Sequence, residues 1–362
     1  MNMFKKVFRY ILMYGPRRTT VKVLYNFDNF FSYTMLKALF NFRSKLKKRI
    51  VFIGLGNHGF TLLAFFVCVI AKQKISIVID PSEKSKKLSE RVLGSKHYPD
   101  LETAISDGEF FGDIVYIASD HSSHTKHAVI SSNNFKNVYV EKPLFVNEEQ
   151  MMEFGKLLNK NCNLFSGFNR PFSPFFREFS DLIDKNFSVT IVVNGHFLES
   201  NHWYRDDGQG SRVLGNLTHW IDLSLRIFHR VNENGTLKVM LSKGEHDDIV
   251  LILKANSGKV CLSFSANCEP KDGVEEFLFW NCSTSLGSIM NFREMSYITN
   301  DGSMKKISKF SKNVGHELAS LAPIYGIIDE SNISYLSSTL ALKVFGMYVN
   351  DKDKCEFSLK SE

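Results

Sequence analysis

The chain has 362 residues and is 44% hydrophobic, enough for a large buried core and for two domains. Its net charge of +7 is unevenly placed: residues 1–49 hold twelve Lys or Arg with Asp28 as their sole acid, which leaves about −4 for the remainder. That leader carries no recognisable nucleic-acid module, and the six cysteines (Cys68, Cys162, Cys261, Cys268, Cys282, Cys355) lack paired metal-ligand spacing, so both nucleic-acid and thiolate-metal chemistry are set aside and a reducing, cytoplasmic setting is expected.

The leader, residues 1–48, mixes Phe, Tyr, Leu and Met with Lys and Arg over Met1–Tyr14 and Thr20–Phe42 and reads as helical. Three uses stay open for it: helices packed on the body, a partner-docking or oligomer segment, and peripheral contact with a membrane surface. Its first residues lack the apolar core and small-residue cleavage site of a signal peptide. The longest apolar run, Phe60 to Ala71, is too short to cross a bilayer.

The most informative stretch follows, Ile50-Val-Phe-Ile-Gly-Leu-Gly-Asn-His-Gly59, an apolar strand running into Gly54, Gly56 and Gly59 and then a helix-length apolar segment. The first glycine permits a tight turn, the second lets backbone N–H groups approach a pyrophosphate, and the third lets helix and strand pack closely. The helix N-terminus then faces the anion with N–H groups that have no intrahelical acceptor. A second strand, Ile75 to Asp80, ends in an acid at the spacing expected for a group that binds the adenosine ribose hydroxyls, which favours NAD over NADP because a carboxylate repels a 2′-phosphate. A helix-capping role for Asp80 ahead of Ser82 is the alternative.

Helices over Ser82–Leu93, Leu101–Ser106 and Ser123–Ser132 alternate with strands over Asp113–Ser119, Asn137–Pro143 and Asn163–Gly167, and Asn147 with Gln150 forms a capping pair for the next helix. Such alternation predicts a parallel sheet covered by helices on both faces, with ligands at the carboxyl ends of its strands, over residues 49–167. From Phe168 the pattern changes to strands over Ser188–Phe197, Leu237–Leu241, Asp248–Lys254, Lys259–Ala266, Glu275–Asn281 and Gly287–Phe292, punctuated by Gly, Asn and Lys-Asp-Gly. A mostly antiparallel open sheet is expected over 168–350, covered on one face by helices, chiefly Asn216–Phe228 and Ile333–Met347, with 351–362 left as a polar tail. The fold class is therefore α/β followed by α+β.

The ordered set Gly54-Leu-Gly-Asn-His-Gly59, Asp80, Ala118-Ser119 with His124, Glu141-Lys142-Pro143, Gly167-Phe-Asn-Arg-Pro-Phe-Ser-Pro174 and Gly215-Asn-Leu-Thr-His-Trp-Ile-Asp222 resembles the Gfo/Idh/MocA family of NAD(P)-dependent sugar and inositol oxidoreductases. The resemblance spans roughly residues 49 to 350. His202-Trp203, followed by Asp206 or Asp207, is similar to a branch found in surface-polysaccharide pathways, which implies a sugar or nucleotide-sugar substrate. The family fold implies a homo-oligomer formed through the C-terminal sheet.

The resemblance also assigns roles. Lys142 and His219 would flank the reacting hydroxyl, Lys142 stabilising alkoxide character and His219 acting as general base. Gly54, Gly56, Asn57, His58, Gly59, Asp80, Ser119, His124, Glu141, Lys142 and Pro143 would line the cofactor site, and Asn169, Arg170, Asn216 and Asp222 the substrate site. Asp222 is expected either to orient the imidazole of His219 or to serve helix packing, and Arg170 either to meet an anionic substrate group, as Arg205 would, or to form an interdomain salt bridge. One departure stands out: where many relatives have an acid three or four residues before the histidine, this chain has Asn216 and Gly215, and the preceding glycine triplet is altered to Gly208-Gln-Gly-Ser211. A catalytically silent relative that binds NAD or a sugar is thus the alternative class. His121, His124 and His127 recur every third residue but lack accompanying carboxylates or cysteines, so no metal site is expected.

Overall fold

The computed structural model describes residues 3–41, 48–206, 208–245, 247–270, 273–327 and 330–360. Two compact units emerge, Met1–Gly167 with Glu317–Ser331, and Phe168–His316 with Asn332–Glu362.

The first unit is built on six parallel strands, β1 (Ile50–Ile53), β2 (Ile75–Ile79), β3 (Lys96–Tyr98), β4 (Gly112–Ile117), β5 (Phe135–Val140) and β6 (Asn163–Ser166), in the order β3-β2-β1-β4-β5-β6. Every residue of β1 is buried, as a strand covered on both faces requires. The strand order changes sense between β1 and β4, the place where such sheets open a crevice for ligands. Short, polar β3 at the sheet edge carries no apolar run to reveal it in the sequence. The apolar segment after the glycine turn forms the Gly59–Ile70 helix, with Gly59 through Val69 all buried.

The leader packs on this unit as helices α1 (Met3–Tyr25), bent at Gly15 where φ is +74°, and α2 (Phe30–Phe40). Arg18, only 8% exposed, donates through Nε to the Thr61 carbonyl at 3.3 Å and lies over the rings of Tyr14 and Phe66, and burial pushes its pKa down to about 10. Phe60 stacks between Phe40 and Tyr25 with centroids 5.0 and 5.7 Å away. Asn29 caps α2 by accepting from the Ser32 N–H at 2.8 Å. Asp28 accepts from the Tyr33 hydroxyl at 2.7 Å and pairs with Lys87 at 3.2 Å. Of the three uses left open for the leader, helices packed on the body is the one visible here.

The second unit holds a nine-stranded sheet of β7 (Phe187–Asn194), β8 (Thr236–Lys243), β9 (Ile249–Ala255), β10 (Gly258–Ser265), β11 (Glu275–Asn281), β12 (Ser285–Met290), β13 (Glu294–Thr299), β14 (Met304–Ser308) and β15 (Lys354–Ser358). Its order is β14-β13-β12-β11-β7-β10-β9-β8-β15, antiparallel throughout except for the β7–β10 pair. Alternating burial along β7 and β10 marks one covered face. There Phe179 of the Pro174–Leu182 helix meets Trp280 at 5.0 Å, and Trp220 of the Thr218–Arg230 helix meets Phe264 at 5.7 Å.

Two assignments change. The 351–362 tail is not free: β15 pairs with β8, and Phe357 is buried opposite Leu237 while its charged neighbours alternate outward. Residues 317–331 belong to the first unit, because the buried Tyr116 hydroxyl of β4 donates to the Ser320 carbonyl at 2.7 Å and Lys48 Nζ donates to the Ile324 carbonyl at 2.6 Å.

Candidate functional site

The first unit places a groove of about 550 Å³ at the carboxyl ends of β1, β2 and β4, bordered by Gly54, Gly56, Asp80, Ala118 and Ser119. Each glycine of the turn has a distinct reason. Gly54 has φ +88°, and a Cβ there would stand 2.5 Å from the Ala118 carbonyl oxygen; a Cβ on Gly59 would stand 2.6 Å from the Gly54 oxygen. At Gly56 a Cβ would meet nothing within 4 Å, so its missing side chain leaves the groove open instead of relieving a clash. The Gly59–Ile70 helix begins directly after Gly54 and Gly56, which border the groove.

Asp80 is 8% exposed and braces the turn: one carboxylate oxygen accepts from the Leu55 N–H at 2.7 Å, the other from the Ser82 N–H at 2.8 Å. The following helix is capped by Ser82, whose hydroxyl accepts from the Ser85 N–H, so the cap reading does not describe Asp80. Each oxygen retains room for a second donor, such as a ribose hydroxyl. Asn57, at the helix start, accepts from the Thr61 hydroxyl at 3.2 Å.

Opposite the turn, a chain of polar contacts links the ends of β4 and β5. Ser119 Oγ lies 3.0 Å from His127 Nδ1, and buried His124 spans the Ser119 carbonyl (3.1 Å) and the Pro143 carbonyl (2.7 Å). Burial lowers the pKa of both histidines, that of His127 to about 4 with help from nearby His124. Glu141 accepts from the Tyr139 hydroxyl at 2.9 Å and contacts His58 Nε2 at 2.9 Å. Burial alone would raise the pKa of Glu141, but the charges of His58 and Lys142 with the His58 and Tyr139 hydrogen bonds hold it at about 2. A side chain at Gly167 would collide with the Glu141 carboxylate, which explains glycine at that position. Lys142 is half-buried, and its bond to Pro143 is cis. His127 and the Pro99–Glu102 segment also line the groove and were not among the expected site residues; Asp100 there caps the Leu101–Ser106 helix by accepting from the Thr103 N–H.

In the second unit, His219 is half-buried in the second position of the Thr218–Arg230 helix, edge-on to Phe168 and Trp220 at 6.3 and 6.1 Å. The absence of an acid before it has a steric cause at one position: a Cβ on Gly215 would stand 2.5 Å from the Tyr204 ring. Asn216 accepts from Arg212 Nη1 at 3.4 Å.

Two substrate-site expectations, for Arg170 and Asn169, are corrected. Arg170 is 6% exposed and donates to Glu276 from Nε at 3.0 Å and Nη2 at 2.6 Å, an ion pair inside the second unit and not an anion-binding or interdomain contact. Glu276 also takes the Trp220 indole N–H at 3.1 Å and pairs with Lys312; burial opposes its charge, but the two cations hold its pKa at about 2. Asn169, 1% exposed, spends its amide on the Val314 carbonyl and its oxygen on Arg170. Asp222 is fully buried and paired with Arg226 at 3.0 Å, a contact that fits the helix-packing alternative. Arg205 is likewise engaged, by Asp247 at 2.8 Å. His202 accepts from the Tyr204 N–H at 3.2 Å, and Asp206 sits at the end of the same turn; Asp207 lies outside the described residues.

Residues 48–168 match the family model described as GFO_IDH_MocA, "Oxidoreductase family, NAD-binding Rossmann fold". No curated protein matches the chain. Among solved structures, a dehydrogenase (MviM) from Clostridium difficile is similar at 16% identity and a TM-score of 0.66, over 84% of this chain and all of that one. Myo-inositol 2-dehydrogenase from Lactobacillus plantarum is similar at 16% identity and 0.66, over 86% and 99%. GenD2 from gentamicin A biosynthesis, solved in complex with NAD, is similar at 15% identity and 0.67, over 88% and 99%. At these identities the likeness is one of fold.

Proposed function

Starting from a chain whose Rossmann unit belongs to the Gfo/Idh/MocA oxidoreductase family, whose members bind NAD, we propose that this protein is an NAD-dependent dehydrogenase or reductase acting on a secondary hydroxyl or ketone of a sugar or sugar-like polyol. The observation that carries the reading is the shape of the groove at the β1/β4 switch point: an opening at Gly56 that a Cβ would intrude upon, with the Asp80 carboxylate at the end of the neighbouring strand. Gly54, Gly56 and Gly59 would hold the pyrophosphate, and Asp80 the adenosine ribose, its charge disfavouring a 2′-phosphate. Bound there, NAD supplies the acceptor for the hydride leaving the oxidised carbon.

The chain's own residues handle the oxygen and its proton. Lys142 orients the substrate oxygen and stabilises the negative charge that develops on it. His219 takes the hydroxyl proton as the carbonyl forms, or returns it in the reverse direction. Glu141, kept ionised, fixes Tyr139 and His58 beside the Lys142-Pro143 turn. The inositol dehydrogenase among the similar structures supports a polyol substrate. A nucleotide-linked sugar of a surface-polysaccharide pathway is the finer form of the proposal, but Arg170 and Arg205, the arginines that favoured an anionic substrate, are both occupied by carboxylates. Assembly through the open sheet is supported by an exposed cross-strand row, Leu286 opposite Ile298 and Ile298 opposite Met304.

The test is a panel of free polyols, sugars and nucleotide sugars screened for NADH formation. Lys142→Ala and His219→Ala are each expected to lower the rate by roughly 10²- to 10⁴-fold. Wild-type rates in both variants overturn the roles, and NAD binding without turnover on any substrate favours the silent-relative alternative.

A further inference from the structure

Helix α2 is apolar on both sides, which is unusual for an outer helix of a folded unit. Its inner face, Tyr33, Leu36 and Phe40, is buried against the body. Its outer face is not covered by any of the described residues: Phe30 is 81% exposed, Phe31 69% and Met35 42%, and Phe27 just ahead of the helix is 51% exposed. Phe31 and Met35 are four residues apart and share one line along the helix, with Phe30 beside it and Phe27 ahead of its N-terminus. Exposed aromatic and sulfur side chains grouped in this way mark a contact surface.

Charge identifies the occupant. Residues 1–49 carry twelve cations and one acid, and that acid, Asp28, is already engaged by Tyr33 and Lys87. Arg17 and Lys37 are exposed on the same two helices. A second copy docked face to face would bring two strongly positive segments together, whereas an anionic surface is attracted to the same segment that presents the aromatic stripe. No helix among the described residues is long and apolar enough to cross a membrane, and eleven residues of helix span only about 16 Å, so the geometry is that of a helix lying in the interface. We propose that α1 and α2 dock this protein on an anionic lipid bilayer, with Phe27, Phe30, Phe31 and Met35 at the headgroup boundary and exposed Arg17 and Lys37 against lipid phosphates. This does not depend on the oxidoreductase reading.

The full chain is sedimented with phosphatidylcholine vesicles with and without about one-third phosphatidylglycerol, at low and high salt. Binding is expected only to the anionic vesicles and is expected to fall steeply with salt, since exposed charges are screened. A Phe30→Ser, Phe31→Ser variant should lose binding by at least roughly tenfold while its thermal melting is unchanged, because both side chains already face solvent. Arg17→Glu with Lys37→Glu is the second variant and should lose binding without touching the aromatic stripe. Absence of binding to anionic vesicles, or unaltered binding by either variant, overturns the proposal. So does a dimer in sedimentation velocity that the Phe variant dissociates, which would assign the face to a second copy.

Discussion

Two buried carboxylates, Glu141 in the first unit and Glu276 in the second, are both held at a pKa of about 2, yet they are built for different ends. Glu276 is enclosed by Arg170, Lys312 and the Trp220 indole, partners that are themselves largely buried. Glu141 instead meets His58, whose side chain is 47% exposed, and adjoins half-buried Lys142 just past the end of β5. A carboxylate with all its partners sequestered is a structural lock. One whose partners reach solvent is available to a ligand.

Variants should separate these roles. The largest effect on stability is expected for Glu276→Gln, which strands Arg170 and Lys312: about 3–5 kcal/mol in urea unfolding, the penalty for breaking a buried ion pair on one side. A loss below about 1 kcal/mol would mean the cluster is not a lock. Glu141→Gln should cost less, about 1–3 kcal/mol, and should weaken NAD binding as well, measured by calorimetry. Unaltered NAD affinity would move Glu141 into the same class as Glu276.

Acid titration of stability sharpens the contrast further. The His127 contribution, from a folded pKa of about 4 below its ordinary 6.5, is present above 6.5 and is lost as pH falls from there toward 4. The contributions of both carboxylates are present above 4.5 and are lost as pH falls toward 2, each adding up to ~1.4 kcal/mol per pH unit to the slope. Glu276→Gln should flatten the lower part of that curve and leave the part above pH 4.5 unchanged. The smallest stability effect is expected at Gly56→Ala, where a Cβ meets nothing within 4 Å; melting should barely move while NAD affinity drops. Gly54→Ala, with φ +88° and a backbone carbonyl in the way, should lose both.

In the first unit β1, β2, β4 and β6 were legible because each is a short apolar run ending in Gly, Asp or Ser, β5 because it runs into the Glu-Lys-Pro corner, while short, polar β3 was not. In the second unit β13, β14 and β15 escaped notice, since Met304-Lys-Lys-Ile-Ser308 and Lys354-Cys-Glu-Phe-Ser358 place few residues in the core and so carry no strong alternation. Lys142 and His219 were named through a resemblance and not through any local pattern.

By itself the sequence determined what is local: the glycine turn, the periodicities that choose strand or helix, and the basic, aromatic character of the leader. Only the tertiary structure decided which charges are spent on folding. Arg170 finds Glu276 106 positions away, Gly215 makes room for the Tyr204 ring, and residues 317–331 return to the first unit to accept the Tyr116 hydroxyl. Backbone conformation is governed by neighbours along the chain, whereas the partner of a buried charge is chosen by whatever the fold brings within hydrogen-bonding distance.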